Sequence, residues 1–225
     1  MVVNRDYESI VTNGLIYNLD GGFIPSYPTS GSTWTDVSLS ARTATLFNNP
    51  TYSSSSSGYI NFAKASSQYA TTSNIGTIQN WTIEAWVRFT SSLTGQVAMV
   101  IGNQFNGSTS INFTMGTNGA PGSYNIQVGF FQSGWYNTTG FAPALNTWYH
   151  VAGTYDGSTI RQYVNGNASG GTLSVTATLA SGGEVRLMRR WDDVVSSGNL
   201  IDGDLAITRI YNRVLSANEI STNFN

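Results

Sequence analysis

The chain has 225 residues, of which 40% are hydrophobic and 12% aromatic, enough for one large β domain with an extensive core. Only 10% are charged, against roughly 25% in typical soluble domains, and the formal net charge is -2. The single lysine and the scattered arginines form no phosphate-neutralising stripe, which argues against nucleic-acid binding. Because cysteine is absent, disulfides and thiolate metal sites are excluded.

The first residues, MVVNRDYESIVTN, predict a polar leader at 1–13, followed by a single domain at 14–225. The leader contains no apolar stretch of signal-peptide length. No later window approaches the roughly 20 apolar residues that a membrane span requires. We therefore expect a protein that is made in the cytoplasm, has no signal peptide and does not insert into membranes.

Strands follow in quick succession from residue 14 onward. GLIYNLD at 14–20 reads as the first strand, whereas 23–40 is rich in Pro, Gly and Ser and predicts an irregular surface connection held down by Trp34. WTIEAWVRF at 81–89 alternates, with Trp81, Ile83, Ala85, Val87 and Phe89 predicted to face the core. Trp86 on the opposite face indicates that this second face is partly covered too.

Later strands are expected at 59–63, around Tyr69, and at 97–101, 111–115, 124–131, 173–179, 184–189 and 205–211. The stretch 147–170 predicts a pair of hairpins, since Asp156-Gly157 and Asn165-Gly166 tolerate the positive φ angles of tight turns. Ser216 and Glu219 match a capping box that begins a helix of one or two turns. With no other helical period, the pattern predicts an all-β antiparallel sandwich with one short C-terminal helix.

Five motifs in order resemble one known family. They are IVTNGLIYNLD at 10–20, SYPTSGSTWTDVS at 26–38, WTIEAWV at 81–87, NTWYHVAGTYDG at 146–157 and GDLAITRIYNRVLS at 203–216. They resemble the laminin-G/pentraxin-like jelly rolls of the concanavalin A-like lectin/glucanase superfamily. The first two motifs are similar to the variant found in tailed-phage virion proteins.

The resemblance implies a jelly-roll fold and a structural or host-contacting virion role, although this fold carries many functions. Related glucanases hold a structural calcium at an acidic position that is Ala206 in this sequence. The resemblance therefore does not predict calcium at that site.

Catalysis is not expected from the sequence. The glucanases pair carboxylates on one strand, whereas Glu84, Glu184 and Glu219 each lack an acid two or four residues away on a predicted strand, and Glu8 lies in the leader. The only histidine, His150, has no Gly-x-Ser-x-Gly elbow to serve and is expected to be buried and structural. We therefore predict a protein without catalytic residues.

Two acidic pairs are the weak candidates for metal binding. Asp192 and Asp193 follow Trp191, and Asp202 and Asp204 flank a glycine, so loop carboxylates and carbonyls could together bind calcium. The alternative is that these carboxylates face solvent beside ordinary turns. No cofactor is otherwise predicted.

Candidate sugar-binding residues combine an aromatic ring with nearby amide or acid groups. Trp135, Tyr136 and Asn137 form one such group, and Trp191 with Asp192 forms another. The alternative for these aromatics is packing at the core ends or against a neighbouring subunit.

Three functions remain open at this point. The first is a non-enzymatic phage virion surface protein, as a capsid decoration, fibre or tail-associated jelly roll, which assembles with other virion proteins and contacts host surface polysaccharide. The second is a glycan-binding lectin module, calcium-assisted or not, without a virion. The third and least favoured is a glycoside hydrolase. The expected location is the virion, and a homo-oligomer is compatible with the first role.

Overall fold

A computed structural model describes residues 10–103, 110–117, 124–180, 183–192 and 197–225. Its strands are β1 (Leu15–Asp20), β2 (Thr33–Thr35), β3 (Thr43–Phe47), β4 (Thr51–Ser53), β5 (Tyr59–Phe62), β6 (Tyr69–Thr72), β7 (Trp81–Phe89), β8 (Met99–Asn103), β9 (Ser110–Gly116), β10 (Gln127–Gln132), β11 (Trp135–Asn137), β12 (Trp148–Tyr155), β13 (Thr159–Val164), β14 (Asn167–Ser174), β15 (Val185–Arg189) and β16 (Gly203–Tyr211). One α-helix, α1 (Ala217–Phe224), follows.

Two eight-stranded sheets stack face to face. The first sheet has the order β14-β13-β12-β7-β16-β5-β4, with β1 also paired to β16, and the second has the order β11-β10-β9-β8-β15-β6-β3-β2. All their ladders are antiparallel, including the long central pairs of β7 with β12 and β16. The predicted fold class, an all-β antiparallel sandwich with one short C-terminal helix, is confirmed.

The main core lies between the sheets. The alternation predicted for β7 is confirmed, because Trp81, Ile83, Ala85, Val87 and Phe89 all belong to this core. From the second sheet it receives a complementary apolar set, which includes Phe113, Met115, Val128, Phe130, Val185 and Leu187. Side chains between these positions therefore point to the outer faces of the sandwich.

The outer face of the first sheet is covered at one end by α1. Trp86 is 1% exposed and its ring stacks on Phe224 of the helix at 5.6 Å. The predicted capping box is present, because the Ser216 hydroxyl accepts from the Glu219 amide and the Glu219 carboxylate accepts from the Ser216 amide. Among the described residues, no helix is long and apolar enough to cross a membrane.

The proline-containing connection at 23–40 is more ordered than the sequence suggests. Trp34 is fully buried, as expected, but it lies within the short strand β2. Asp36 fixes the connection to the first sheet, since its Oδ1 accepts hydrogen bonds from the amides of Asn18 and Ser38. Because β2 is the last strand of the second sheet, this segment forms the edge of that sheet.

Other differences from the sequence prediction concern strand ends. The strand predicted at 173–179 is the end of β14, which stops at Ser174, and Trp135 begins a short strand, β11, that the sequence analysis does not predict. The Asn165-Gly166 turn has two residues with positive φ, as predicted. The first hairpin instead has a three-residue loop, because the Asp156 side chain accepts from the amides of Ser158 and Thr159.

Residues at the predicted leader boundary contact the end of the chain. The Val11 amide donates to Oδ1 of Asn223 in α1 at 2.9 Å, and Ile10 is buried. The division of the chain into a leader at 1–13 and a domain at 14–225 stays a prediction.

Candidate functional site

A small pocket lies on the outer face of the second sheet, at the end formed by β9, β10 and β11. Its lining residues are Thr114, Gly116, Thr117, Gln127, Trp135, Asn137 and Trp191, and its volume is about 60 Å³. This volume corresponds to roughly two water molecules. We call this site the tryptophan pocket.

The alternation of side chains along β9 and β10 determines which residues form the floor of the pocket. On β9, Thr114 alternates with the core residues Phe113 and Met115, so its side chain points outward. Gln127 and Gly129 alternate with core residues of β10 in the same way. The sandwich core therefore holds the polar floor of the pocket on a rigid support.

Glycine at position 129 makes room for a pocket side chain. Gly129 pairs with Asn137 of β11. A Cβ at position 129 would lie 2.2 Å from Oδ1 of Asn137 and 2.0 Å from the carbonyl oxygen of Tyr136. The Asn137 amide can therefore lie across β10 only because residue 129 has no side chain.

Two tryptophans form the apolar part of the pocket. Their ring centroids are 4.7 Å apart with the planes tilted by 59°. Trp135 is 41% exposed and also contacts Phe131 edge-on at 5.2 Å. Trp191 follows β15, and β8, β9 and β10 separate β15 from β11 in the sheet. The segment that carries Trp191 must therefore cross over the outer face of the sheet to reach Trp135.

A buried arginine anchors this crossing segment. Arg186 on β15 is 1% exposed, and its Nη1 donates to the carbonyl oxygen of Asp192 and, at 3.4 Å, to that of Arg190. Its Nε donates to Glu184 Oε1 at 3.0 Å, so its charge is compensated. Arg186 thus connects the backbone on both sides of Trp191 to the sheet.

A second ion pair closes the same segment. The Nε of Arg190 lies 2.9 Å from Oδ2 of Asp192. The Arg190 guanidinium also lies over the Trp191 ring, 4.7 Å from its centroid, and donates to Asn199 Oδ1 at 3.3 Å. Arg190 therefore contacts a carboxylate, an aromatic ring and an amide oxygen at the same time.

Two amide oxygens of the pocket lack hydrogen-bond partners. Within the described part of the chain, neither Oδ1 of Asn137 nor Oε1 of Gln127 accepts a hydrogen bond, and both atoms are shielded from solvent. Shielded polar atoms are normally hydrogen-bonded because an unmade bond is costly. The lining of the pocket therefore contains two acceptors whose hydrogen bonds are unmade.

The structure brings together three of the five predicted sugar-binding residues. Trp135, Asn137 and Trp191 share the pocket. Asp192 is adjacent, but its carboxylate pairs with Arg190. Tyr136 lies opposite Phe130 on the other side of β11, with ring centroids 5.4 Å apart, and so faces away from the pocket.

The sequence analysis did not single out the polar floor, Thr114, Thr117 and Gln127. Gln127 lies inside a strand that the sequence predicts, and its outward position follows from alternation with Val128. Its closeness to Trp191 could not be predicted, because it depends on the path of the Trp191 segment across the outer face of the sheet.

The described candidate metal ligands each have partners within the protein. Asp202 accepts from the Lys64 amide at 2.6 Å and the Ser91 hydroxyl at 2.8 Å. Asp204 accepts from Arg88 at 2.6 Å and Asn61 at 2.7 Å. Over the described ranges, no three His, Asp or Glu side chains group as metal ligands do. Asp193 lies outside those ranges, so the metal prediction stays untested.

His150 belongs to a buried cluster under α1, remote from the pocket in the other sheet. It is fully buried, as predicted, and its Nε2 lies 3.4 Å from Oε2 of Glu84. Burial alone would raise the pKa of Glu84, but the contact with His150 and the charge of Arg209 hold that pKa at about 2. Arg209 Nη1 donates to Glu84 at 2.9 Å. This cluster binds sheet and helix together.

Comparison with known proteins points to the same fold. A family model, Laminin_G_3, described as "Concanavalin A-like lectin/glucanases superfamily", matches residues 63–221. A search of curated protein sequences finds no match.

Solved structures of the same fold include two from carbohydrate-active proteins. Domain 4 of AbnA, an extracellular arabinanase from Geobacillus stearothermophilus solved in complex with arabinotriose, is 13% identical, with a TM-score of 0.74 over 96% of this chain and 100% of that domain. A sialidase from Trypanosoma rangeli in complex with sialic acid is 19% identical, with a TM-score of 0.64 over 94% of this chain. The chain spans only 32% of that sialidase.

Proposed function

The chain belongs to the concanavalin A-like lectin/glucanase superfamily, and we propose that it is a carbohydrate-binding domain whose site is the tryptophan pocket. The observation that carries the proposal is the arrangement of Trp135 and Trp191 over a floor of amide and hydroxyl side chains. Such a combination suits a sugar, which has apolar C–H faces and a rim of hydroxyl groups.

Each part of the pocket has a task in this proposal. The exposed indole of Trp135 stacks against the apolar face of a sugar ring. The free oxygens of Asn137 and Gln127 accept hydrogen bonds from its hydroxyl groups. A volume of about 60 Å³ receives the edge of one sugar unit rather than a whole oligosaccharide.

The arabinanase domain supports this assignment as an analogy. That domain has the same fold over nearly the full length of both chains and was solved with a short arabinose oligosaccharide. At 13% identity the likeness concerns the fold, and the transfer of sugar binding to this chain is part of our proposal.

A glycan array with matched variants tests the proposal. Trp135→Ala and Trp191→Ala should each weaken binding by about two- to tenfold or more, since an aromatic contact contributes about 0.5–1.5 kcal/mol beyond its buried area. Tyr136→Ala is the matched control, because Tyr136 is the next residue on β11 and faces away from the pocket. Wild-type protein that binds no glycan would refute the function, and a Trp135→Ala variant that binds as tightly as wild type would refute the site.

We propose that the domain is non-enzymatic. Glu84, Glu184 and Glu219 lie 2.9, 3.0 and 2.6 Å from an arginine nitrogen. Each carboxylate therefore serves an ion pair, whereas glycoside hydrolysis needs two carboxyl groups about 5 to 10 Å apart across the bond. Release of new reducing ends from a panel of polysaccharides by the purified protein would contradict this.

We also propose that the domain is carried on a tailed-phage particle, where it assembles with other virion proteins and contacts host polysaccharide. The support is the resemblance of the motifs at 10–20 and 26–38 to those of phage virion proteins. Mass spectrometry of purified particles tests this role. Absence of the chain from the particles would refute the virion role. The alternative function, a glycan-binding domain that is not part of a virion, would then remain.

A further inference from the structure

We propose that the tryptophan pocket selects uncharged saccharides and rejects those that carry a carboxylate or sulfate at the bound unit. This inference rests on the proposed function and adds the class of ligand. The residues that line the pocket are tryptophan, threonine, glycine, glutamine and asparagine. None of these side chains ionises, so the described lining of the pocket has no cation to pair with an acidic sugar.

Two arginines beside the pocket already have anionic partners. Arg190 is paired with Asp192 at 2.9 Å, and Arg186 is paired with Glu184 at 3.0 Å. Arg189, further along β15, lies over the Tyr69 ring at 4.3 Å and is 6% exposed. An incoming anion would have to compete with carboxylates for Arg190 and Arg186.

The two pocket oxygens that lack hydrogen-bond partners also favour uncharged saccharides. Oδ1 of Asn137 and Oε1 of Gln127 are acceptors, so they need a hydrogen-bond donor. A sugar hydroxyl supplies one, whereas an ionised carboxylate or sulfate supplies only further acceptors. An acidic group would lose its hydration and gain repulsion from these oxygens.

The test uses pairs of glycans that share a backbone and differ in charge. Lactose is compared with sialyllactose, and methyl-esterified oligogalacturonide with its free acid, on an array that also holds neutral arabinose, glucose and galactose oligomers and sulfated glycans. We expect the bound glycans to be uncharged, with at least tenfold weaker binding of the acidic member of a pair. Their affinity should stay constant between 50 and 500 mM NaCl, concentrations over which salt screening strengthens markedly.

Binding confined to acidic or sulfated glycans, or binding that falls with salt, would overturn the inference and leave the proposed function standing. Absence of binding to every glycan would instead overturn the proposed function itself. The two failures are therefore distinguishable in one experiment.

A charge variant tests the physical reason. Asp192→Asn removes the carboxylate opposite Arg190, so affinity for the acidic member of each pair should rise relative to the neutral member. Asp156→Asn is the control, because Asp156 forms a comparable pair with Arg161 at 2.6 Å on the first sheet. An unchanged preference in Asp192→Asn, or an equal change in both variants, would refute the charge argument.

Discussion

Asn223 is expected to be a principal link between α1 and the first sheet. It is 1% exposed, and its Nδ2 lies 3.1 Å from both carboxylate oxygens of Glu84 and 2.9 Å from the hydroxyl of Tyr211. Its Oδ1 accepts from the Val11 amide at 2.9 Å. One side chain thus connects the helix, two strands and the start of the described chain.

Replacement of Asn223 by alanine should lower the free energy of unfolding by about 2–4 kcal/mol. A hydrogen bond to a charged group contributes about 1.5–3 kcal/mol and one to a neutral amide about 1 kcal/mol. The better helix propensity of alanine returns less than about 1 kcal/mol. For a domain of this size, the loss corresponds to a decrease in Tm of roughly 5–15 °C.

Urea and thermal denaturation followed by circular dichroism measure this effect, with Asn218→Ala as control. Asn218 lies in the same helix but is exposed, so that variant makes the same chemical change without the buried bonds. We expect the control to stay within about 0.5 kcal/mol of wild type. Equal destabilisation by the two variants would refute the role given to Asn223.

Three further predictions concern acid stability, the pocket floor and a buried amide. Because the pKa of Glu84 is about 2 in the folded state, below its ordinary value of 4.5, its stabilisation is present above pH 4.5 and is lost as pH falls toward 2. Urea titrations from pH 5 to pH 2 should show this loss, and Glu84→Gln, though less stable at pH 7, should show a shallower dependence. A slope equal to wild type would contradict the assignment. Gly129→Ala should abolish glycan binding and cost about 1–3 kcal/mol, because its Cβ would collide with Asn137. Gly134→Ala, whose Cβ would meet nothing within 4 Å, should bind normally in the same titration, and normal binding by both variants would be the contrary result. Asn112 is fully buried and neither polar side-chain atom has a hydrogen-bond partner in the described ranges, so Asn112→Leu should raise stability by about 1–3 kcal/mol in thermal denaturation. A lower Tm for Asn112→Leu would refute that expectation.

The fold could be predicted because the sequence patterns that indicate it arise from interactions between residues close together in the chain. The alternation in β7, the turn at Asn165-Gly166 and the capping box at Ser216 all depend on residues close together in sequence. The three-residue loop after Tyr155 was not predicted, because it depends on which amides the Asp156 side chain reaches.

Of the residues that line the pocket, the sequence singled out only Trp135, Asn137 and Trp191. Trp135 and Trp191 stand out in the sequence as rings beside polar groups, yet nothing local indicates that they touch. Their contact requires the segment after β15 to cross the sheet, and that path depends on buried Arg186. Tyr136 looked equivalent to Trp135, but in a strand neighbouring side chains point to opposite faces.

A difference between the two outer faces of the sandwich explains why the pocket lies on the second sheet. On the first sheet, Trp86 and His150 are covered by the Phe224 ring, and Glu84 below them is held by Asn223. A ligand at that place would have to displace α1 and break the hydrogen bonds of Asn223. In the described part of the chain no such cover lies over Trp135, which remains 41% exposed. The packing of α1 therefore closes one outer face, and the proposed sugar site lies on the other.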